Sequence, residues 1–306
     1  MDLRQLEYVV AVAEERSFTR AAARCHVVQS ALSAQVARLE RELAVTLFHR
    51  TSRSVQVAPA GELLLPHARA LLHGAEVARA ELAAFSGVIT GRLRIGMMGT
   101  AGRGFPLVDR ALLAFHQQHP AVEIAVQDTG SRHMADRVRT GDLDLAFVGL
   151  YADQVPPGVV HHLLTDEPLV AVVEPTHPLA GRAGVALDDL AAAGPFIDMR
   201  GESGLRLQVD AAFERAAVHR TVAFELGTSD AVVRFAGLGF GAALVPASAA
   251  DGVAHVVVLT VDDPAARHPI GLVHRSPAPS TPSARAFLAL LLEGGVDRPE
   301  DRQAPP

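Results

Sequence analysis

The sequence predicts a multidomain fold: an all-α head closed by a small hairpin, one long linker helix, and an α/β body of two lobes. Three observations predict it. Apolar residues in the first 58 positions recur at helical spacing and then switch to alternation. A heptad-like apolar repeat follows, from Leu64 to Phe85. From Arg92 onward, short β-branched runs alternate with helical stretches.

In the head, Leu3, Leu6, Val9, Val10 and Ala13 share a helical face. Ser17 is placed to cap a short alanine-rich helix in "RSFTRAAARCHV". Val28, Leu32, Val36, Leu39, Leu43 and Leu47 then mark one face of a longer helix. "HRTSRSVQVAP" has a turn-like centre and an alternating Val55/Val57 arm, which reads as a hairpin. Helix, short helix, longer helix and hairpin together make a winged helix-turn-helix pattern, in which the third helix enters the major groove of DNA. Gln29, Ser30 and Ser33 lie early on that helix and are expected at base edges. Arg38, a turn later, is expected at phosphate. Thr19, on the supporting helix, joins the DNA-binding set. Arg50, Thr51, Ser52 and Arg53 on the hairpin are expected at the phosphate backbone or an adjacent minor groove.

Pro59 suits a helix start. The spacing of Leu64, Ala68, Leu71, Ala75, Ala78, Leu82 and Phe85 alternates between four and three. That makes a seam for self-association, with Leu64, Leu71, Ala75, Ala78, Leu82 and Phe85 as the dimerisation residues. The alternative is a helix packed on its own domain. Pro66 should kink the helix or delay its regular part.

In the body, "RLRIGMM", "VEIAVQD" and "LDLAFVGL" alternate with helices near 106–116 and 131–139. "LVAVVEP", "GPFIDM", "TVAFEL" and "GAALVP" form a second set, with helices near 205–217 and 230–236. "PIGLVHR" and a helix near 281–292 end it. Two such sets joined by crossovers suggest lobes that hold a small ligand between them. The expected divisions are 1–58 for the head, 59–88 for the linker, and 89–296 for the body. The body splits into lobes of 89–161 with 267–296, and of 162–266. Residues 297–306 are polar and proline-rich and are expected to be a disordered tail.

Charge supports the division. The first 60 residues hold eight arginines and six acids, while the whole chain carries a net charge of −6. A basic head on an acidic body suggests that the head alone meets a polyanion. The chain has no lysine, which excludes a Walker A loop and lysine-based catalysis. One cysteine, Cys25, excludes an intrachain disulfide framework and a multi-cysteine zinc site. The first residues do not read as a signal peptide and no apolar run is long enough to span a bilayer, so a cytoplasmic protein is expected, with no membrane partner.

The head also carries a specific pattern: Phe18-Thr19-x-Ala21-Ala22, then Gln29-x-Ala31-Leu32-Ser33, Leu39-Glu40-x-Glu42-Leu43 and Leu47-Phe48-x-Arg50. It resembles the N-terminal domain of LysR-type transcriptional regulators over nearly all of residues 2–61. "GRLRIG" and "GDLDLAF" resemble the start and third strand of the family's effector domain. The resemblance implies a dimer through the linker helix, often paired into a tetramer. It implies promoter DNA as a partner, RNA polymerase if the protein activates, and a periplasmic-binding-protein-like (type 2) ligand domain. It also marks departures. Val28 stands where Ser or Thr usually caps the recognition helix, Ser30 where proline is common, and Ala34 where a basic residue is frequent.

Effectors in this family lie between the lobes, in loops that follow strands. That places Thr100, Thr129, Ser131, Phe147 and Gly149 on one side, and Ser203, Arg206 and Thr228 on the other. Several of these precede helices, whose N-terminal amides favour an anion such as a small carboxylate. The alternative is that the hydroxyls only cap those helices.

The competing readings are an enzyme or a free-standing small-molecule-binding protein on the same two-lobed fold. No His-Glu-x-x-His motif is present, and "GESG" and "GTSD" lack the Gly-x-Ser-x-Gly elbow. "GLGFG" lacks the strand and helix that a dinucleotide fingerprint needs. His161-His162 is expected at a strand edge, and no metal or cofactor is expected. The reading adopted is a ligand-responsive DNA-binding regulator that is not an enzyme.

Overall fold

Asp2 begins the first helix by a reciprocal cap. Its carboxylate accepts the Gln5 amide, and the Gln5 side chain accepts that of Asp2. The structure is a computed structural model that describes residues 1–50, 55–98 and 106–292. Thr51, Ser52 and Arg53 of the expected hairpin, Thr100, and the tail 297–306 lie outside the described residues. The chain divides into two compact units, one built on Met1–Val88 and one on Ile89–Arg139 with Leu143 onward.

In the first unit, α1 is Leu3–Glu15, α2 Phe18–Arg24 and α3 Gln29–Leu43. The Ser17 hydroxyl caps α2 by accepting the Arg20 amide. Val28 precedes α3 with no side-chain cap. The inner face of α3 is shorter than its apolar spacing suggested. Leu32, Val36 and Leu39 are buried, but Leu43 is partly exposed and the helix ends at Ala44 in a left-handed turn. Leu47 is buried from beyond that turn. The turn lets the chain reverse, so Leu47 reaches the core from the hairpin side.

Strands β1 (Phe48–Arg50) and β2 (Val55–Val57) pair antiparallel, with Phe48 opposite Val57 and Arg50 opposite Val55. Helix α4 runs from Pro59 to Phe85 without a break at Pro66, so the delayed start is not what occurs. Pro66 is exposed, so the Glu62 carbonyl that loses its amide partner stays at the surface. Leu65 packs on the three-helix core, and Ala68 is fully buried.

The second unit contains β3 (Gly91–Gly96), α5 (Pro106–Gln118), β4 (Val122–Gln127), α6 (Ser131–Thr140), β5 (Leu145–Val148), β6 (Val159–Val173), β7 (Gly184–Val185), α7 (Leu187–Ala192), β8 (Phe196–Met199) and α8 (Gly204–Arg215). It continues with β9 (Val222–Leu226), α9 (Ser229–Gly237), β10 (Ala243–Pro246), α10 (Ala247–Ala250), β11 (Val257–Val261), β12 (Arg267–Arg275) and α11 (Pro282–Leu292). Strands run in the order β4-β3-β5-β12-β6-β11-β7, with β10 also on β6 and a separate β8-β9 pair. β3, β4 and β5 are parallel, as βαβ crossovers require, whereas β12 runs antiparallel to β5 and β6.

β6 is the longest strand and belongs to both lobes. Its first part pairs with β12 as far as Pro168, and the rest pairs with β10 and β11 from Leu169 on. Pro168 falls where the partner changes, which is where a missing amide costs least. Its polar stretch hides this strand from periodicity.

His161 and His162 lie in the part of β6 that pairs with β12 on one side and with no other described strand, so they stand on the outer strand of the first lobe's sheet, as expected. His162 Nε2 lies 2.9 Å from His274 Nε2 on β12, and His274 Nδ1 lies 2.9 Å from the Arg275 carbonyl. Nδ1 of His274 must donate to that carbonyl, which leaves its Nε2 to accept from His162.

In the first lobe, Phe115 and Phe287 pack α5 and α11 on one face of the sheet. Asp144, from "GDLDLAF", is buried and accepts the Arg94 amide at 2.8 Å and its guanidinium at 2.9 Å. The second lobe has its own core, from Leu169 to Ala266.

Candidate DNA-binding face and ligand cleft

The three-helix core sets which side of α3 is free. Leu32, Val36 and Leu39 face inward, so Gln29, Ser30 and Arg38 are exposed and Ser33 is half-buried. Thr19 is exposed at the start of α2. Gln35 is turned toward α1, where its side chain accepts from Gln5 at 3.3 Å.

Arg50 behaves differently from the expectation of an open cation. Its guanidinium donates to Ser33 Oγ at 3.0 Å and to Glu40 Oε2 at 3.1 Å, and lies 4.3 Å from the Phe18 ring centre. Glu40 Oε1 accepts the amides of Leu47 and Phe48. Cys25 closes α2 and is partly buried; burial pushes its thiol up from the usual range.

In the second unit, loops at the ends of β4, β8 and β9 face one another around a cleft of about 550 Å³. Asp128, Thr129, Ser131 and His133 line it from one lobe, and Met199, Arg200, Glu202, Ser203, Leu205 and Gly227 from the other. Helices α6 and α8 begin at its wall. His268 on β12 lies at its base; it is 1% exposed.

The predicted residues separate sharply here. Ser203 caps α8 through the Leu205 amide, and Thr228 caps α9 through that of Ala231. Ser131 Oγ accepts the Gly149 amide at 3.1 Å. Thr129 Oγ1 is buried with no hydrogen-bond partner. Phe147 faces the core, edge-on to Phe287, and is not a cleft wall. Arg206 is drawn away by Asp210, Glu225 and the Met199 carbonyl. Gly149 packs against Gly204 and His268 rather than lining the cleft.

His268 carried no sequence signal. Its Nδ1 is buried without a partner, and burial lowers its pKa to about 4, so the imidazole is neutral at physiological pH. Arg200 makes no ion pair among the described residues. None of the helices described is long and apolar enough to cross a membrane. Among the described residues, no group of three or more His, Cys, Asp or Glu side chains is placed to hold a metal ion.

Residues 3–62 match the bacterial regulatory helix-turn-helix protein, lysR family, and residues 86–295 match the LysR substrate binding domain. The chain belongs to the LysR family of transcriptional regulators. The DNA-binding transcriptional dual regulator OxyR of Escherichia coli K12 is 33% identical over 286 residues, 91% of each chain. The hydrogen peroxide-inducible genes activator of Pectobacterium carotovorum is 32% identical over 286 residues, 91% of this chain and 92% of that one. A solved structure of a full-length OxyR cysteine variant from Pseudomonas aeruginosa covers 95% of this chain and 93% of its own, at 26% identity and a TM-score of 0.72. This LysR-family chain is thus a ligand-responsive DNA-binding regulator and not an enzyme. LysR regulators bind DNA and small-molecule effectors and form oligomers.

Proposed function

We propose that this regulator binds promoter DNA through the exposed N-terminal part of α3 and senses a small anionic metabolite in the inter-lobe cleft. The observation that carries the second half is the pair of unsatisfied polar atoms there, Thr129 Oγ1 and His268 Nδ1. A buried polar atom left without a partner costs about 1–3 kcal/mol. A ligand that supplies the partners recovers that cost. The N-termini of α6 and α8 and the guanidinium of Arg200 favour negative charge on the ligand. Asp128 and Glu202 are exposed and stand at the rim. A small carboxylate fits this set.

The relatives named for hydrogen peroxide raise a second reading, that of a thiol sensor. The sole cysteine of this sequence is Cys25, outside residues 86–295. A disulfide switch within one ligand domain needs two thiols. The cleft chemistry is therefore the better candidate for the signal.

On DNA, Gln29, Ser30 and Ser33 are assigned to base edges, with Arg38, Thr51, Ser52 and Arg53 at phosphate or groove edge. Thr19 supports them from α2. Leu71, Ala75, Ala78, Leu82 and Phe85 are assigned to a dimer seam, while Leu64, the first residue of the expected seam, packs against the three-helix core of its own chain. A tetramer is the larger assembly, and RNA polymerase the partner if the protein activates. A cytoplasmic setting follows from DNA as the partner.

Thermal-shift measurements against a panel of small carboxylates test the ligand reading. A stabilising ligand should lose its effect with Thr129→Val and His268→Leu. A response that survives both substitutions would place the ligand elsewhere.

A further inference from the structure

Arg50 looks in sequence like a wing cation waiting for phosphate, but the structure ties two of its guanidinium nitrogens inside the head. One nitrogen donates to Ser33 Oγ at 3.0 Å, another to Glu40 Oε2 at 3.1 Å, and the plane lies 4.3 Å from the Phe18 ring centre. The side chain of Glu40 is 16% exposed, so its charge opposes that of Arg50 with little solvent between. The other Glu40 oxygen holds the Leu47 and Phe48 amides at the entry to β1. A single carboxylate on α3 thus grips the first strand of the wing by backbone and by side chain. Phe18 brings α2 into the same cluster and packs edge-on against Phe48 at 5.9 Å.

The consequence falls on Ser33. A serine hydroxyl accepts and donates. Here Arg50 takes one of the hydroxyl's two lone pairs, and its positive charge turns the O–H hydrogen away from the guanidinium, so the O–H is directed outward with one lone pair left over. Base edges in the major groove differ in whether they accept or donate.

We propose that Arg50 is a positioning residue that fixes Ser33 as a hydrogen-bond donor and locks β1 to α3, rather than a phosphate-binding cation. Through Ser33 it would select an acceptor at the base edge, such as a purine N7, guanine O6 or thymine O4. A phosphate would meet only the N–H groups that Ser33 and Glu40 leave over, on a cation whose charge Glu40 already offsets. The proposal rests on α3 being the groove-facing helix.

The test uses the full chain and two duplexes. One carries a sequence enriched by the wild-type protein from a randomised pool, and the other is a scrambled version of equal length. Failure of the wild type to enrich anything would overturn the reading of α3 itself, separately from the role of Arg50. Given an enriched site, Arg50→Gln, Arg50→Lys and Glu40→Gln are compared by fluorescence anisotropy over a salt range.

Positioning predicts that all three lower the ratio of specific to scrambled affinity, by about three- to tenfold for the loss of one oriented hydrogen bond. The salt dependence on scrambled DNA should stay as in the wild type. A phosphate role predicts the opposite pattern. Arg50→Gln would then weaken both duplexes equally and reduce the salt slope by about one, Arg50→Lys would retain binding, and Glu40→Gln would strengthen it. Any of those three results, or an unchanged ratio in all variants, overturns the proposal. If Arg50→Gln fails to fold, as read by circular dichroism, the direction of the Glu40→Gln effect decides alone.

Discussion

Gly149 and Gly204 meet across the two lobes of the ligand domain: a Cβ on Gly204 would lie 2.7 Å from the Gly149 Cα and 2.6 Å from its carbonyl oxygen. Gly149 follows β5 in one lobe and Gly204 opens α8 in the other. Two further bonds close the same seam. The Ser131 amide donates to the Glu202 carbonyl at 3.2 Å, and Gln208 Nε2 donates to the Gly149 carbonyl at 3.2 Å. Gly204→Ala should therefore force the lobes apart, because backbone cannot yield as a flexible side chain does. We expect at least a tenfold loss of ligand affinity by calorimetry, with affinity for random-sequence DNA unchanged. Retention of full ligand affinity would show that the lobes need not touch here.

His268 is held neutral by burial, with a pKa of about 4 against an ordinary 6.5. The unfolded chain therefore takes up a proton that the folded chain does not between those values. The stability is whole above pH 6.5 and falls as pH drops toward 4, by about 3 kcal/mol at most for this group. His268→Leu should flatten that part of the profile in urea unfolding between pH 7.5 and 4.5. It should also raise stability at pH 7.5 by about 1 kcal/mol, because the unpartnered Nδ1 is gone. A carboxylate bound beside His268 would raise its pKa. Ligand affinity in the wild type should then strengthen as pH falls from 7.5 to 5.5.

Val28 is 69% exposed and leaves the amides at the start of α3 without a side-chain partner. Val28→Ser supplies a cap and should stabilise the head by about 1 kcal/mol. Hydrogen exchange at the amides of Ser30 and Ala31 should slow, while those in the middle of α3 change less.

Leu82 and Phe85, the last two seam residues of α4, are 73% and 93% exposed, whereas Ala68 of the same repeat is fully buried. Placing acids at both sites, Leu82→Glu with Phe85→Glu, should shift the protein toward monomer in sedimentation. Loss of dimer should lower affinity for a two-half-site duplex far more than for one half-site. An unchanged sedimentation profile would assign the seam to another role.

Much of the head was legible because its core is local. Leu32, Val36 and Leu39 follow the helical repeat, and Ser17 and Pro59 mark their helices by residue type alone. The alternating Val55 and Val57 likewise marked β2. The strand β6 was only half legible, because a run containing His161, His162, Asp166 and Pro168 lacks an apolar repeat and becomes a strand only by pairing with β12. Arg50 was legible as a wing residue, but not as the partner of Ser33, seventeen positions away.

The ligand cleft shows the division most clearly. The sequence by itself determined most of the strands and helices, though not β7, α7, α10 or β11, and which loops carry hydroxyls, because periodicity and capping are set by backbone geometry over a few residues. Only the tertiary structure decided what each hydroxyl does. Ser203 and Thr228 cap their own helices, Ser131 holds Gly149, and Thr129 is the one left unsatisfied among the described hydroxyls of this set. It also decided that His268, near the start of β12, lies at the base of the cleft. Hydrogen-bond satisfaction and burial depend on groups far apart in the chain, and no local pattern records whether those groups arrive.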